Sequence, residues 1–378
     1  MERTKLLAAL RRLTTIPTAP YDELDVRAAL HALLVEHGLH YQTDAFGNTL
    51  VRVRRGLPRN KVAFVAHLDH PALRVVEKKG SLLTCRAEGG LPTVGIKDAK
   101  VVFPKCKDGP AAGKLVSAKT TKVKARVRLE QAVVQVNAKG PQPEVGDFAI
   151  LDLPPMQQKG NRLKLRVADD LAGVTAIVAA LADIARRDSA CEAWGVFTRA
   201  EEVGFHGTVA LVLGGLVPRD LTVVSVECSL AQDGVEIGDG PVVRLGDRSG
   251  PFDPRAAALI TGAAQQLAEG KFAYQSALMA GGTCEATAFG AFGYRAGGIA
   301  LPLAAYHNQG PRGVAAEEID VRDLEGATQL ITAVAERAGA GIDDLDLLRN
   351  DLVRNSEEGR QKLRTPIVGS NLLPPEPV

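Results

Sequence analysis

The chain is poor in aromatic residues, which supply 4% of its 378 positions. It therefore lacks the ring platforms on which single-stranded nucleic acid stacks. Cysteine is also scarce. Cys85, Cys106, Cys191, Cys228 and Cys284 are odd in number, widely scattered and never arranged as Cys-x-x-Cys. This excludes a structural zinc ribbon and argues against a disulfide framework; unpaired thiols point to the cytoplasm. No stretch reaches the roughly 20 apolar residues of a membrane span. The first apolar run is broken by Arg11 and Arg12 and stops before Pro17, so it reads as an amphipathic helix, not a secretion signal. An excess of one charge is missing too, with 46 Lys and Arg against 44 Asp and Glu. A formal charge of +2 makes neither nucleic acid nor an anionic membrane the default partner.

What is present is an alternation of helix and strand signals. Leu6 to Leu13 has helical spacing, and Asp22 is placed to cap a second helix that Gly38 ends. Phe46-Gly47-Asn48 marks a turn before a strand at Thr49–Arg54, and Lys61–Ala66 reads as a buried strand. Helical periodicity then vanishes from about residue 72 to 160, where short β runs alternate with Gly, Pro and Lys. Residues 97–128 hold ten basic residues against Asp98 and Asp108, which reads as a solvated face or subunit contact before a nucleic-acid patch. The α/β alternation resumes with a helix at 173–185, strands at 193–198 and 221–226, a helix at 256–267, a strand at 299–301 and a helix at 324–338. The expectation is an α/β protein: a mixed, mostly parallel sheet sandwiched by helices, interrupted by a small β-barrel-like domain. Residues 1–71 and 161–340 form the main domain, 72–160 the insertion, and 341–378 a tail that begins acidic and helical.

Four motifs fall where strands end or helices begin, the places where open α/β sheets bind ligands. His67-Leu68-Asp69 follows the apolar strand, with both polar side chains on one side of an extended backbone. Asp169-Asp170 opens a helix, so that one acid can cap it while the other faces a cation. Glu201-Glu202 follows the strand at 193–198, and Glu227 and His307 follow later strands. Each alone has an ordinary reading as a surface acid, a helix cap or a buried hydrogen-bonded histidine. Together, two histidines and three carboxylates suit two divalent cations such as zinc, cobalt or manganese, with no thiolate needed.

This order of motifs resembles the co-catalytic metallo-exopeptidases. The β insertion between His67 and Asp169 makes it similar to the tetrahedral glutamyl, or deblocking, aminopeptidases. Supporting segments are Thr15-Ile16-Pro17, Asp44–Asn48, Gly238-Asp239-Gly240-Pro241, Gly281-Gly282-Thr283 and Leu301-Pro302-Leu303. The resemblance implies a phosphorylase/hydrolase-like catalytic domain and a metal-dependent aminopeptidase acting on peptide substrates. Asp169 would bridge two metals, with Asp170 as the runner-up. His67 and Glu227 would complete one site, and Glu202 and His307 the other. Glu201 would be the general base, and Asp69 would orient His67. The insertion would be the dimerisation domain, and dimers would build a homo-oligomer, up to a hollow dodecamer.

The chain departs from that family at several points. Glu227 stands where Asp is usual, His70 where an acid usually follows His-x-Asp, and Cys284-Glu285 where an acid follows Gly-Gly-Thr. The usual His-(Ser/Thr)-Pro-Val-Glu is His307-Asn308-Gln309-Gly310-Pro311. Two rival functions are a deacylase or amidohydrolase using the same site, and a metal-binding scaffold with a degenerate one.

Overall fold

The computed structural model describes residues 1–123, 126–232 and 234–363. Helices α1 (Arg3–Thr14) and α2 (Leu24–Glu36) come first. Leu6, Leu10 and Leu13 give α1 its buried face, and Gly38 ends the α2 region at φ +68, a conformation glycine adopts without penalty. Asp22 does not cap α2. It pairs with Arg74, and Glu23 sits at the cap position without a capping side-chain bond.

Strands β1 (Tyr41–Thr43), β2 (Thr49–Arg55) and β3 (Lys61–His67) follow. The chain then forms β4 (Ala72–Lys79), β5 (Leu82–Glu88), β6 (Lys100–Phe103), β7 (Ala111–Val123), β8 (Arg126–Val136) and β9 (Phe148–Leu151). These six close into a barrel of order β4-β5-β8-β7-β6-β9. The barrel has its own core, including Leu73, Val75, Leu83, Phe103, Leu115 and Val134. The β7–β8 hairpin is much longer than its neighbours, and its outer half is exposed. Part of the basic excess lies here as surface ion pairs, among them Lys114–Asp98 and Lys119–Glu130.

After the barrel come β10 (Met156–Lys159), β11 (Arg162–Leu165), α3 (Leu171–Ile184), β12 (Cys191–Thr198), α4 (His206–Leu213) and β13 (Leu221–Leu230). Then come β14 (Val242–Asp247), β15 (Gly250–Pro251), α5 (Pro254–Ala268), β16 (Gln275–Met279), α6 (Glu285–Ala291) and β17 (Arg295–Leu303). Two short strands, β18 (Gln309–Gly310) and β19 (Gly313–Val314), precede β20 (Glu317–Asp320), α7 (Val321–Ala340), α8 (Asp344–Asn355) and α9 (Glu357–Leu363). The β10–β11 hairpin pairs with β20.

The main sheet has the order β1-β2-β12-β3-β13-β17-β14-β15, with β16 beside β14. Its centre, β12, β3, β13 and β17, is parallel, and antiparallel pairs flank it. Strand β3 shows why the centre is apolar on both faces. Val62, Phe64 and Ala66 enter the core under α1, α3, α5 and α7, while Ala63 and Val65 enter the core under α4 and α6. Helix α3 is buried all round, as its continuous apolar sequence requires. The expected sandwich with an inserted small barrel is thus the observed fold. Among the described residues no helix is long and apolar enough to cross a membrane.

Candidate metal centre

Because β12, β3, β13 and β17 run parallel, their carboxyl ends share one edge. His67 is the last residue of β3, and Glu227 lies near the end of β13. Glu201 and Glu202 sit in the turn after β12, His307 follows β17, and Asp169 precedes α3. The fold gathers these six side chains into one cluster.

Asp169 lies between the two imidazoles. Its Oδ1 is 3.5 Å from His67 Nε2, and its Oδ2 is 3.5 Å from His307 Nε2. His67 Nε2 is also 3.8 Å from Glu227 Oε2 and 4.0 Å from Glu201 Oε2. On the other side, His307 Nε2 is 3.0 Å from Glu202 Oε1. Asp170, the alternative bridge, is grouped instead with Asp169 and Glu227. Neither acid caps α3: Asp170 occupies the cap position, yet both its carboxyl oxygens are buried without a hydrogen-bond partner. Gly173 leaves room for that carboxyl, since a Cβ there would come within 2.3 Å of Asp170 Oδ1.

The orientation of each imidazole is set from behind. His67 Nδ1 bonds the Asp69 backbone carbonyl at 3.2 Å, and His307 Nδ1 bonds the Gly90 carbonyl at 3.2 Å. Carbonyls accept only, so each Nδ1 carries a proton and each Nε2 is the nitrogen turned toward the cluster. The Asp69 carboxylate itself is 3.6 Å from His67 Nδ1. Its firm bonds come from the Glu201 N–H at 2.9 Å and the Glu202 N–H at 3.1 Å. Asp69 thus accepts from the two glutamate N–H groups while its carboxylate also lies beside His67, the contact the sequence suggested.

A divalent cation fits this arrangement. Among the described residues Asp169 Oδ1, Glu202 Oε1 and His307 Nε2 are all buried without a hydrogen-bond partner, although two of them lie only 3.0 Å apart. Buried polar atoms seldom stay unpaired, and buried charges are paired or coordinate metals. Burial pushes the Glu201 carboxyl well above its usual range, and neighbouring Glu202 and Glu227 add to the rise against the pull of His67. Burial likewise carries Glu227 up to about 8. Burial opposes charging His67 and His307, but the surrounding carboxylates hold both imidazoles well above their ordinary value. Cations at the focus of the carboxylates and the two Nε2 atoms would resolve this excess of buried acid.

Three supports escaped the sequence reading. Glu317 on β20 accepts the N–H groups of Ala168, Asp169 and His307. Glu23 accepts from Tyr21 N, Ala200 N and Arg199 Nε, tying down the segment before Glu201. Gly90, just past β5, must be glycine, because a Cβ there would lie 2.5 Å from His307 Nδ1. No periodicity marks any of the three; only the fold brings them to the site. The Asp44–Asn48 turn does explain itself: Asn48 accepts from Arg199 N and donates to the Gly207 carbonyl.

The cluster forms the floor of a cleft of about 850 Å³. The β7–β8 hairpin walls one side and the segment 281–283 the other, joined where Arg126 donates to the Gly281 carbonyl at 2.6 Å. Arg244 also lines the cleft. It is buried, its Nη1 donates to Ser229 Oγ at 3.2 Å, and its Nε has no hydrogen-bond partner among the described residues.

Among solved structures, an aminopeptidase from the archaeon Desulfurococcus kamchatkensis matches with a TM-score of 0.75 at 22% identity, covering 89% of this chain and 95% of that one. The TET1 peptidase of Pyrococcus horikoshii, which can assemble into a tetrahedron or a large octahedral shell, matches at 0.72 and 21% identity, covering 87% and 99%. A TET aminopeptidase from a marine-sediment Thaumarchaeota archaeon matches at 0.75 and 19% identity, covering 89% and 99%. These establish the shared fold. The family model for M42 glutamyl aminopeptidases matches residues 47–330, which is three quarters of the sequence. With this match and a metal-fitting cluster at the strand ends, the chain belongs to the M42 glutamyl aminopeptidase family and is a metal-dependent aminopeptidase.

Proposed function

We propose that this protein removes acidic residues from the N-termini of peptides at a centre built for two divalent cations, zinc or cobalt before manganese. Asp169 would serve both cations, with His67 and Glu227 on one and His307 and Glu202 on the other. The observation carrying this reading is the position of Asp169, one oxygen toward each imidazole. Bound cations would supply Lewis acidity, polarising the scissile carbonyl and lowering the pKa of water.

Glu201 acts as the general base. It lies on the cleft side of the cluster and is held by the bond from its N–H to Asp69. It takes a proton from the attacking water as the oxygen adds to the carbonyl carbon. It returns that proton to the amine as the C–N bond breaks. Such transfer contributes roughly 10²–10⁴-fold to the rate. Arg244 supports the acidic preference, because a buried guanidinium that among the described residues bonds a hydroxyl and leaves its Nε unpaired suits a substrate carboxylate. Cytoplasmic location fits the five buried free cysteines, and assembly into homo-oligomers through the barrel fits the family fold.

The test is Glu201→Gln. It is expected to retain both cations by metal analysis while losing hydrolysis of glutamyl-nitroanilide by about 10²–10⁴-fold. Full activity in that variant would remove Glu201 from the mechanism. Turnover of N-acyl amino acids in preference to aminoacyl-nitroanilides would favour a deacylase instead.

A further inference from the structure

Two departures from the family pattern, His70 and Asn308, lie 238 residues apart in sequence yet touch. His70 Nε2 is 3.2 Å from Asn308 Oδ1, and both residues are almost wholly buried. His70 Nδ1 donates to the Asp169 backbone carbonyl at 2.8 Å. Asn308 Nδ2 donates to the Arg166 carbonyl at 3.0 Å, which fixes the amide with its oxygen toward His70. One end of the pair thus holds the backbone of Asp169, and the other belongs to the residue next to His307. Asn308 also sits at φ +61, directly after His307 at φ +52. Asparagine is among the few residues besides glycine that accept such a conformation.

The chemistry of the two departures is linked. A carboxylate at position 70 can only accept, and a serine or threonine hydroxyl at 308 can donate to it. Here a ring nitrogen meets an amide oxygen where the family pattern sets a carboxylate against a hydroxyl, so the two changed residues still meet across one buried contact. Changing either residue alone strands the other as a buried polar group without this contact, which is costly.

We infer that His70 and Asn308 form one positioning unit that sets Asp169 against His307 and thereby the spacing of the two cation sites. The inference rests on the assignment of Asp169 and His307 as cation ligands. Neither residue of the pair touches substrate; both act through the ligands they hold.

A double-variant cycle tests it, using His70→Leu, Asn308→Gly and the pair. Glycine removes the amide and keeps the left-handed backbone. Cobalt is titrated into each protein, and affinity, stoichiometry and visible absorption spectrum are read together. Each single variant is expected to bind cobalt roughly 10–100-fold more weakly. The double variant should lose no more than the worse single, because the two side chains act as one unit. Wild-type affinity in both singles, or losses that multiply in the double, would overturn the inference. If His70→Leu does not fold by circular dichroism, His70→Gln keeps a donor for the Asp169 carbonyl and takes its place. Failure of the wild-type protein itself to bind cobalt would strike the ligand assignment, a separate result from unaffected variants.

Discussion

The two histidines of the proposed metal centre are held in opposite ways. His67 ends a regular parallel strand, and its ring is braced by the backbone carbonyl of Asp69, two residues on. His307 lies in an irregular turn in which Ala305, His307 and Asn308 all have positive φ. Its ring is braced by Gly90 from the barrel side and its N–H by Glu317 from β20. One half of the centre is therefore local and comes with the strand. The other is assembled from distant parts, and its backbone conformation is strained enough to need that assembly. Precision in the second half depends on residues that have no chemistry of their own.

Asp169→Asn should erase the contrast, because Asp169 serves both halves. Groups that act as a unit fail together, so hydrolysis should drop on the order of 10⁴-fold or more, with cation binding impaired at both sites. Residual binding confined to the His67 side would show that the halves are more independent than the geometry indicates. Gly90→Ala should break only the distant half. Its methyl group would displace His307, weakening one cation by about 10–100-fold while the His67 site still fills. Metal stoichiometry falling from two toward one is the readout, and equal loss at both sites would contradict it.

Glu317→Gln exchanges a buried acceptor of three N–H groups for an amide that offers one oxygen. It should lower the free energy of unfolding by about 1–3 kcal/mol and loosen the His307 side first, measured by denaturant titration and cobalt affinity. Asp69→Asn is its counterpart on the local side and should disturb Glu201 and Glu202 more than His67. A spectrum changed mainly through His67 would make orienting that ring the larger part of what Asp69 does. The smallest effect belongs to Arg244→Met, which should leave both halves filled. Glutamyl substrates should lose roughly 10–100-fold in kcat/KM against leucyl ones, the worth of a charged hydrogen bond of about 1.5–3 kcal/mol. An unchanged ratio would take Arg244 out of substrate choice.

The same contrast explains what could be read from the sequence. The run Lys61–Ala66 alternates between two cores, so its strand character, its burial and the His-x-Asp at its end were all legible in consecutive residues. The family motifs supplied the remaining ligand candidates, and the fold brings those candidates together. Glu317, Glu23 and Gly90 carried no signal, because their roles arise from pairings between β20, the segment before α2 and the exit from the barrel. Asp170 looked like a helix cap, a local role, but its surroundings are acids from other elements. The short helices α4 and α6 and the strands β14 and β16 were also missed. They are brief, too short for a periodic pattern to emerge. Residues 364–378 of the tail lie outside the described residues.

The Gly90 carbonyl has a wider meaning than its single hydrogen bond suggests. It comes from the strand-exit of the inserted barrel, whose long hairpin also walls the cleft. An experimenter who trims the barrel to obtain a minimal catalytic domain would remove the brace of one ligand and a wall of the binding site together. Conversely, grafting this barrel onto a related enzyme would transplant part of its reaction chemistry along with a scaffold. Two hydrophobic cores can be distinct and still serve one site, and here the boundary between them runs through the proposed metal centre.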